Sequence, residues 1–226
     1  MNFMNCINAV LFDLDGVILD TESMYMKAML EFNDRYKINI STNYYISNFL
    51  GKTKKQIIDI FLKKSILKKD LLEKYWSELL KYREDYINKN KINIKKGFFD
   101  LVNYLKKNNV VIGIVTSNSL QFVKKLLIKA EIDMDIFDLI ITRDDVNITK
   151  PSPDLYLYAL KKLNINKDNV FAIEDSNIGI MAAYSAGVKV INVTDIDNIT
   201  KTNIKKCFTT VQSLNNVIDI FQEKRE

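Results

Sequence analysis

Short apolar runs, separated by longer mixed segments, recur along most of the chain. Five of these runs have the length and composition of buried strands: Asn8–Phe12, Val110–Val115, Leu139–Ile141, Val170–Ile173 and Val188–Val193. Between the later runs, apolar residues recur at helical spacing over Leu120–Lys129, Asp154–Leu163 and Ile178–Ser185. Strands that alternate with helices in this way predict βαβ units, and therefore an α/β fold with a mostly parallel sheet.

A long segment after the first strand breaks this alternation. Between Thr21 and Asn93 the apolar spacing predicts helices only, which we place at Met24–Tyr36, Lys54–Lys64 and Leu71–Ile87. We therefore predict two domains. An α/β core is formed by residues 1–20 and 94–226, and an inserted helical domain is formed by residues 21–93.

The amino-acid composition restricts the possible chemistry. The 226 residues include no histidine, which excludes Ser-His-Asp and Cys-His hydrolases and histidine-ligated zinc or iron sites. The two cysteines, Cys6 and Cys207, cannot form a disulfide framework and favour a reducing, cytoplasmic setting. No apolar stretch reaches the roughly 18–20 residues of a membrane span, and we find no signal peptide. We expect a cytoplasmic protein without a membrane partner, whose chemistry depends on carboxylates, hydroxyls and lysines.

The net charge of +5 is distributed unevenly. Residues 51–96 contain 14 Lys and Arg against 6 Asp and Glu. Such a segment can face nucleic acid, a membrane or an anionic small molecule, or it can be the solvated face of lysine-rich helices. No nucleic-acid-binding motif is recognisable, so we expect no nucleic-acid partner. A non-enzymatic nucleic-acid-binding or regulatory module is kept as an alternative.

Polar residues follow four of the predicted strands. In chain order they are Asp13 and Asp15, then Thr116, Ser117 and Asn118, then Lys150, then Glu174 and Asp175. Pro151 keeps Lys150 out of helical geometry, and Pro153, near the N1 position, starts the next helix. Ligands bind at the carboxyl edge of a parallel sheet, so we expect these four groups to form one site.

These residue types suit phosphate chemistry assisted by a cation. Asp13 can act as a nucleophile and a cation ligand, and Asp15 can exchange a proton with a leaving group or water. Hydroxyls and backbone N–H groups at residues 116–118 favour phosphate binding. Burying Glu174 next to Asp175 is costly unless a cation neutralises them, and oxygen-only ligands indicate Mg²⁺. Each signal alone has an ordinary structural explanation, such as a solvated loop or a helix cap.

The four segments together resemble the haloacid-dehalogenase superfamily of phosphotransferases, in the group typified by β-phosphoglucomutase and related sugar-phosphate phosphatases. The matching segments are FDLDGVILDTE from Phe12, IVTSN from Ile114, KPSPD from Lys150 and IEDSNIGI from Ile173. With the supporting helices, the resemblance covers essentially the whole chain. It implies a Rossmann-like core with a helical cap inserted after the first strand, an aspartyl-phosphate intermediate and an obligatory Mg²⁺.

The resemblance also implies a role for each matching residue. Asp13 would attack phosphorus, and Asp15 would act as general acid and then as general base. The residues expected to hold the phosphoryl group are Thr116 and Lys150, with Ser117 and Asn118 beside it. The groups expected to hold Mg²⁺ are the Asp13 carboxylate, the Asp15 backbone carbonyl, Asp175 and, directly or through water, Glu174.

Phosphatase and mutase are both compatible with this family. The β-phosphoglucomutase pattern has a histidine and a cap-loop arginine at the positions of Tyr25 and Lys54. Both differences favour a phosphatase acting on a small-molecule phosphate ester, with a phosphosugar mutase as the alternative. Lys52 or Lys54 is expected to bind the distal part of the substrate; Gly51 is a candidate in the same loop, or simply a turn glycine. Relatives that cleave halides or phosphonates lack a carboxylate at the position of Asp15. We expect a monomer.

Overall fold

The structure, a computed structural model, describes residues 7–50, 52, 54–196 and 199–223. These residues form two compact units. One unit contains the described residues up to Asp20 and from Asn93 onwards, and the other contains Thr21–Ile92. The predicted substrate-binding residue Gly51 and the cysteine Cys6 lie outside the described residues. None of the described helices combines the length and apolar composition needed to cross a bilayer.

The first unit contains a six-stranded sheet in which neighbouring strands are parallel. Its strands are β1 (Ala9–Phe12), β2 (Val111–Val115), β3 (Leu139–Ile141), β4 (Val170–Glu174), β5 (Lys189–Val193) and β6 (Thr209–Val211). Their spatial order is β3-β2-β1-β4-β5-β6. Phe12 is in register with Ile114 of β2 and with Ile173 of β4, so the carboxyl ends of these three strands are level. The predicted α/β class and parallel sheet are confirmed.

Helices make up most of the remaining described structure. They are α1 (Thr21–Arg35), α2 (Thr42–Asn48), α3 (Lys54–Lys63), α4 (Leu72–Lys89), α5 (Phe98–Lys107), α6 (Leu120–Lys129), α7 (Asp154–Leu163), α8 (Asn177–Ser185), α9 (Lys201–Ile204) and α10 (Leu214–Gln222). Helices α1 to α4 form the second unit, and α5 to α10 belong to the unit with the sheet.

The central strands are continuous apolar runs because helices cover both faces of the sheet. Successive strand residues point to opposite faces. Leu11 belongs to the buried cluster that includes Leu155 of α7, whereas Phe12 packs edge-on against Phe98 of α5, with ring centroids 6.0 Å apart. A polar residue just beyond such a strand therefore lies where the chain passes out of the buried layer, at the carboxyl edge of the sheet.

The second unit has an aromatic core of its own. Tyr75 of α4 is fully buried, and its ring centroid lies 5.4 Å from those of Phe32 and Phe61. Its hydroxyl donates a hydrogen bond to Asn33 Oδ1 at 2.5 Å, which satisfies the phenol inside the helical bundle. Burial raises the pKa of Tyr75, so the hydroxyl stays protonated and remains a hydrogen-bond donor within the helical core.

Some features of the chain differ from the predictions. The predictions did not include β6, α2, α5, α9 or α10. Lys150 was expected directly at a strand end, but a 3₁₀ turn at Arg143–Asp145 separates it from β3. Pro153 is the N-cap residue of α7, so it precedes the N1 position that the sequence predicted for it. Neither change moves the following helix, which begins at Asp154 as predicted.

Candidate active site

Asp13 is the first residue after β1. Its backbone N–H donates to the Ile173 carbonyl at 3.0 Å, which continues the hydrogen bonding with β4 beyond the end of the strand. Its carboxylate Oδ1 accepts from the Leu14 N–H at 2.8 Å and lies 2.9 Å from Lys150 Nζ. The carboxylate is therefore held at Oδ1 by two donors in a nearly buried position.

The Lys150 ammonium connects three strands of the sheet. Its Nζ lies 2.7 Å from Glu174 Oε1 and 2.9 Å from Asp13 Oδ1, and it donates to the Val115 carbonyl at 2.8 Å. Burial alone lowers the pKa of Lys150, but the two carboxylates outweigh it and hold that pKa above its ordinary value. The long side chain thus brings a fixed positive charge to the sheet edge.

Glu174, the last residue of β4, is completely buried. Besides Lys150, its Oε1 accepts a short hydrogen bond from the Tyr156 hydroxyl of α7. Its Oε2 is buried and has no hydrogen-bond partner among the residues that the structure describes. Burial raises the pKa of Glu174, and the Lys150 charge opposes that rise. The carboxylate is therefore incompletely compensated and would be stabilised by an additional cation.

Three carboxylates converge at this edge. Asp13, Glu174 and Asp175 each offer an oxygen, and these oxygens lie within 4.8 Å of one another. Gly16 permits this arrangement: it has φ +74°, and a Cβ atom there would lie 1.8 Å from Asp175 Oδ2. The donor set consists of oxygen only, and the buried Glu174 carboxylate is incompletely compensated, so these residues fit a hard divalent cation such as Mg²⁺.

The loop after β2 completes the constellation. Asn118 donates from Nδ2 to Asp15 Oδ2 at 2.5 Å, which orients the second aspartate of the first motif. Thr116 donates its backbone N–H to the Ile141 carbonyl at 3.0 Å, and its Oγ1 accepts from the Asn118 N–H at 3.2 Å. Ser117 Oγ is buried without a hydrogen-bond partner among the described residues, so its hydroxyl is suited to bind a ligand oxygen.

Lys54 and Tyr25, which the sequence analysis singled out, belong to the second unit. Lys54 is the first residue of α3, and its Nζ lies 3.6 Å from the Glu73 carboxylate and 5.7 Å from the Trp76 ring centroid. The Arg83 guanidinium lies 3.9 Å from the ring centroid of Tyr25, at cation–π distance. A substrate-binding role for Lys54 remains a prediction.

Two residues of the site were missed by sequence reasoning. Tyr156 lies beside Leu155 at a buried position of α7, where a phenol hydroxyl requires a partner, and this was an available signal. Gly179 lies inside α8, and a Cβ atom there would be 1.8 Å from Glu174 Oε2. A glycine destabilises the interior of a helix. Its presence there often marks a position that another group approaches closely.

The hydrogen bond from Tyr156 to Glu174 leads to a prediction for stability. We expect Tyr156→Phe to lower the free energy of unfolding by about 1.5–3 kcal/mol, because a buried hydrogen bond to a charged group is lost. Tyr158→Phe is the matched control, since that ring lies on the same helix at cation–π distance from Lys162. Urea unfolding of both variants measures the difference, and equal stabilities would show that the hydrogen bond contributes nothing.

Residues 10–193 match the haloacid dehalogenase-like hydrolase family, and the chain therefore belongs to that family. It is 26% identical over 185 residues to the phosphorylated carbohydrates phosphatase of Thermotoga maritima, covering 82% of this chain and 84% of the relative. It is 27% identical over 187 residues to the pyrophosphatase PpaX of Bacillus cereus, covering 83% of each.

Solved structures of other proteins share the fold described above. The crystal structure of β-phosphoglucomutase from Clostridium difficile is 27% identical to this chain, with a TM-score of 0.71, and the match covers 96% of this chain and 97% of that one. These comparisons confirm the family predicted from the four motifs, and with it the prediction that the protein is a hydrolase.

Proposed function

We propose that the protein is a Mg²⁺-dependent phosphatase that hydrolyses small phosphate monoesters, such as sugar phosphates, through a phosphorylated Asp13. The observation that supports this proposal most directly is the position of the Asp13 carboxylate, which lies 2.9 Å from a buried lysine and belongs to a cluster of three carboxylates. The name of one relative, a phosphatase of phosphorylated carbohydrates, supports this class of substrate. The name of another, a pyrophosphatase, supports hydrolysis of small phosphorylated molecules more generally.

In the first half-reaction, an Asp13 carboxylate oxygen attacks phosphorus. The new Asp13 O–P bond forms as the ester P–O bond breaks, and Asp15, as a carboxylic acid, gives its proton to the departing alkoxide oxygen. Asn118, 2.5 Å from Asp15 Oδ2, orients the acid. The three N–H groups of Lys150 contact Asp13, Glu174 and the Val115 carbonyl. Lys150 therefore donates to a phosphoryl oxygen by giving up its contact with Asp13 as that carboxylate bonds to phosphorus. The Ser117 hydroxyl supplies a second donor, and catalysis depends mainly on this positioning.

In the second half-reaction, water hydrolyses the acyl phosphate. The Asp15 carboxylate takes a proton from a water molecule, the water oxygen attacks phosphorus, and the Asp13 O–P bond breaks. Inorganic phosphate leaves, Asp13 is again a carboxylate, and Asp15 is again protonated. Thr116 is proposed to hold the phosphoryl group in both steps; the hydrogen bond from its backbone N–H to the Ile141 carbonyl of β3, which fixes its backbone, supports this role.

The residues proposed to hold the cation are the Asp13 and Asp175 carboxylates and the Asp15 backbone carbonyl, with Glu174 bound directly or through water. When bound, Mg²⁺ neutralises charge on the phosphoryl group, so that an anionic carboxylate can approach an anionic ester. Lys150 offers one positive charge to the two carboxylates of Asp13 and Glu174, which is the electrostatic reason for proposing a second cation.

A mutase that returns the phosphoryl group to a sugar is the second candidate. The 27% identity to a β-phosphoglucomutase favours it. Against it, Tyr25 stands where that pattern has a histidine, and the ring of Tyr25 is stacked with Arg83. Lys54 stands where the pattern has an arginine, and its ammonium is paired with Glu73. We therefore propose water as the acceptor.

Phosphate release from a panel of small esters and pyrophosphate, measured with Mg²⁺ or with EDTA, tests the proposed function. β-Glucose 1-phosphate is also assayed for isomerisation, and Asp13→Asn protein is run in parallel. Metal-dependent release by the wild type alone supports a phosphatase. Isomerisation without release assigns the mutase, and release that EDTA does not reduce contradicts the proposed metal dependence.

The Asp15→Asn variant separates proton transfer from cation binding. We expect turnover of alkyl phosphates to fall by about 10²–10⁴-fold, because the amide can neither donate nor accept the proton. Mg²⁺ affinity, measured by isothermal titration calorimetry, should stay close to that of the wild type, because the proposed contact is a backbone carbonyl. Asp175→Asn is the comparison that should lose affinity, and an equal loss in Asp15→Asn would contradict the assignment.

A further inference from the structure

Asp195 is a buried acid at the same sheet edge that belongs to none of the four motifs. It lies just beyond β5, and β5 is the neighbour of β4, whose end carries Glu174 and Asp175. The side chain of Asp195 is only 8% exposed, and its Oδ1 lies 2.6 Å from Lys95 Nζ. One oxygen of this carboxylate is therefore compensated by an ion pair.

The second oxygen is not compensated. Asp195 Oδ2 is buried and has no hydrogen-bond partner in the described part of the chain. It faces the turn at Gly16, where a Cβ atom would lie 3.1 Å from Asp195 Oδ2 and 1.8 Å from Asp175 Oδ2. The space beside Gly16 is thus bordered by an acid of the carboxylate cluster and by an unpaired carboxylate oxygen. Such an oxygen is unfavourable unless it accepts from a donor.

Lys95 determines where this oxygen points. The Lys95 backbone N–H donates to the Ile18 carbonyl at 2.8 Å, which ties Lys95 to the segment that follows Gly16. Because its ammonium holds Oδ1 of Asp195, Oδ2 is directed toward the turn. Asp195 is not one of the three acids whose oxygens lie within 4.8 Å of one another, so this arrangement favours contact through a water molecule.

We propose that Asp195, oriented by Lys95, is a positioning residue for the cation: its Oδ2 accepts a hydrogen bond from a water molecule of the cation that Asp175 holds. Mg²⁺ keeps several of its waters in protein sites, and partners of this kind strengthen metal binding. The inference rests on the proposed function, because it requires a cation at the three-carboxylate cluster.

Titration calorimetry with Mg²⁺ tests the proposal without any substrate. We expect Asp195→Asn to bind Mg²⁺ about 10- to 100-fold more weakly than the wild type. The matched control is Asp168→Asn, which removes the same charge from an exposed residue just before β4, at the amino end of the sheet. Its affinity should not change. In the phosphatase assay, the Mg²⁺ concentration for half-maximal activity should rise with the dissociation constant, while kcat at saturating Mg²⁺ stays within a few-fold of the wild type.

The titrations separate a failure of the proposed function from a failure of this inference. Wild-type protein that binds no Mg²⁺ would overturn both the proposed function and this inference. Wild-type binding with unchanged affinity in Asp195→Asn would overturn the inference alone, and a lower melting temperature with unchanged affinity would assign the Lys95–Asp195 pair a purely structural role. Asp195→Ser carries the same expectation and replaces the asparagine variant if that protein is too unstable to titrate.

Discussion

Replacing Asp13 by asparagine should reduce turnover of every phosphate ester by more than about 10⁴-fold while the fold is retained. An amide is a poor nucleophile, and it offers no negative charge to a cation. The isosteric side chain can still accept hydrogen bonds at its oxygen from Leu14 N–H and Lys150, so the local structure should survive. The loss should appear in kcat, because the missing group forms a covalent bond in the reaction.

Phosphate release at saturating Mg²⁺ measures the effect of Asp13→Asn. Mass spectrometry of acid-quenched enzyme should detect a phosphoryl group on the wild type and none on the variant. Asp168→Asn, which changes the net charge equally at an exposed position, controls for charge alone. Turnover within about 100-fold of the wild type would contradict Asp13 as the nucleophile.

Lys150→Met should lower both stability and activity. We expect the free energy of unfolding to fall by about 3–5 kcal/mol in EDTA, because Asp13 and Glu174 lose their buried cationic partner. Methionine keeps most of the length of the side chain, so the effect reports the charge and its hydrogen bonds. Activity should fall as well, because the ammonium is the proposed donor to the phosphoryl oxygens.

Urea unfolding of Lys150→Met, with and without Mg²⁺, measures this loss. Mg²⁺ should restore part of the stability, because it binds the same carboxylates in the folded state. Combining Glu174→Gln with Lys150→Met should also restore stability, because it removes one uncompensated charge, but the double variant should not regain turnover. Lys106→Met, at an exposed position of α5, is the control. A loss below about 1 kcal/mol in Lys150→Met would contradict a buried ion-pair network.

The sequence was informative about the candidate site wherever the chemistry lies at the end of a strand. Asp13 and Asp175 follow apolar runs that are buried in the sheet, and β1 and β4 are adjacent in that sheet. The register of Phe12 with Ile173 then places Asp13 level with Glu174 and one residue short of Asp175. The position of Lys150 could not be predicted as directly, because a long side chain brings it to the acids from beyond a 3₁₀ turn.

The missed elements are of two kinds. Helices α5 and α10 have buried apolar residues at helical spacing, such as Phe98, Leu101 and Leu105, so the sequence offered a signal for them. The sixth strand offered none. Strand β6 (Thr209–Val211) has three residues, two of them threonines, and is too short to show a periodicity. It forms because Ile191–Val193 of β5 offers an unpaired edge with which it is in register. Such an element depends on a neighbour distant in the chain, so local spacing carries little information about it.

The sequence alone determined the fold class, the order of the motifs and the residue types that face the sheet edge, because apolar periodicity and turn residues act over short distances along the chain. The tertiary structure decided which charged and polar groups lie next to one another. It placed one ammonium between Asp13 and Glu174 and directed the Tyr156 hydroxyl at a carboxylate. It also buried an oxygen of Asp195 that has no hydrogen-bond partner among the described residues. These contacts join distant segments, and their energies depend on burial and on separations of a few ångströms, which a linear pattern does not contain.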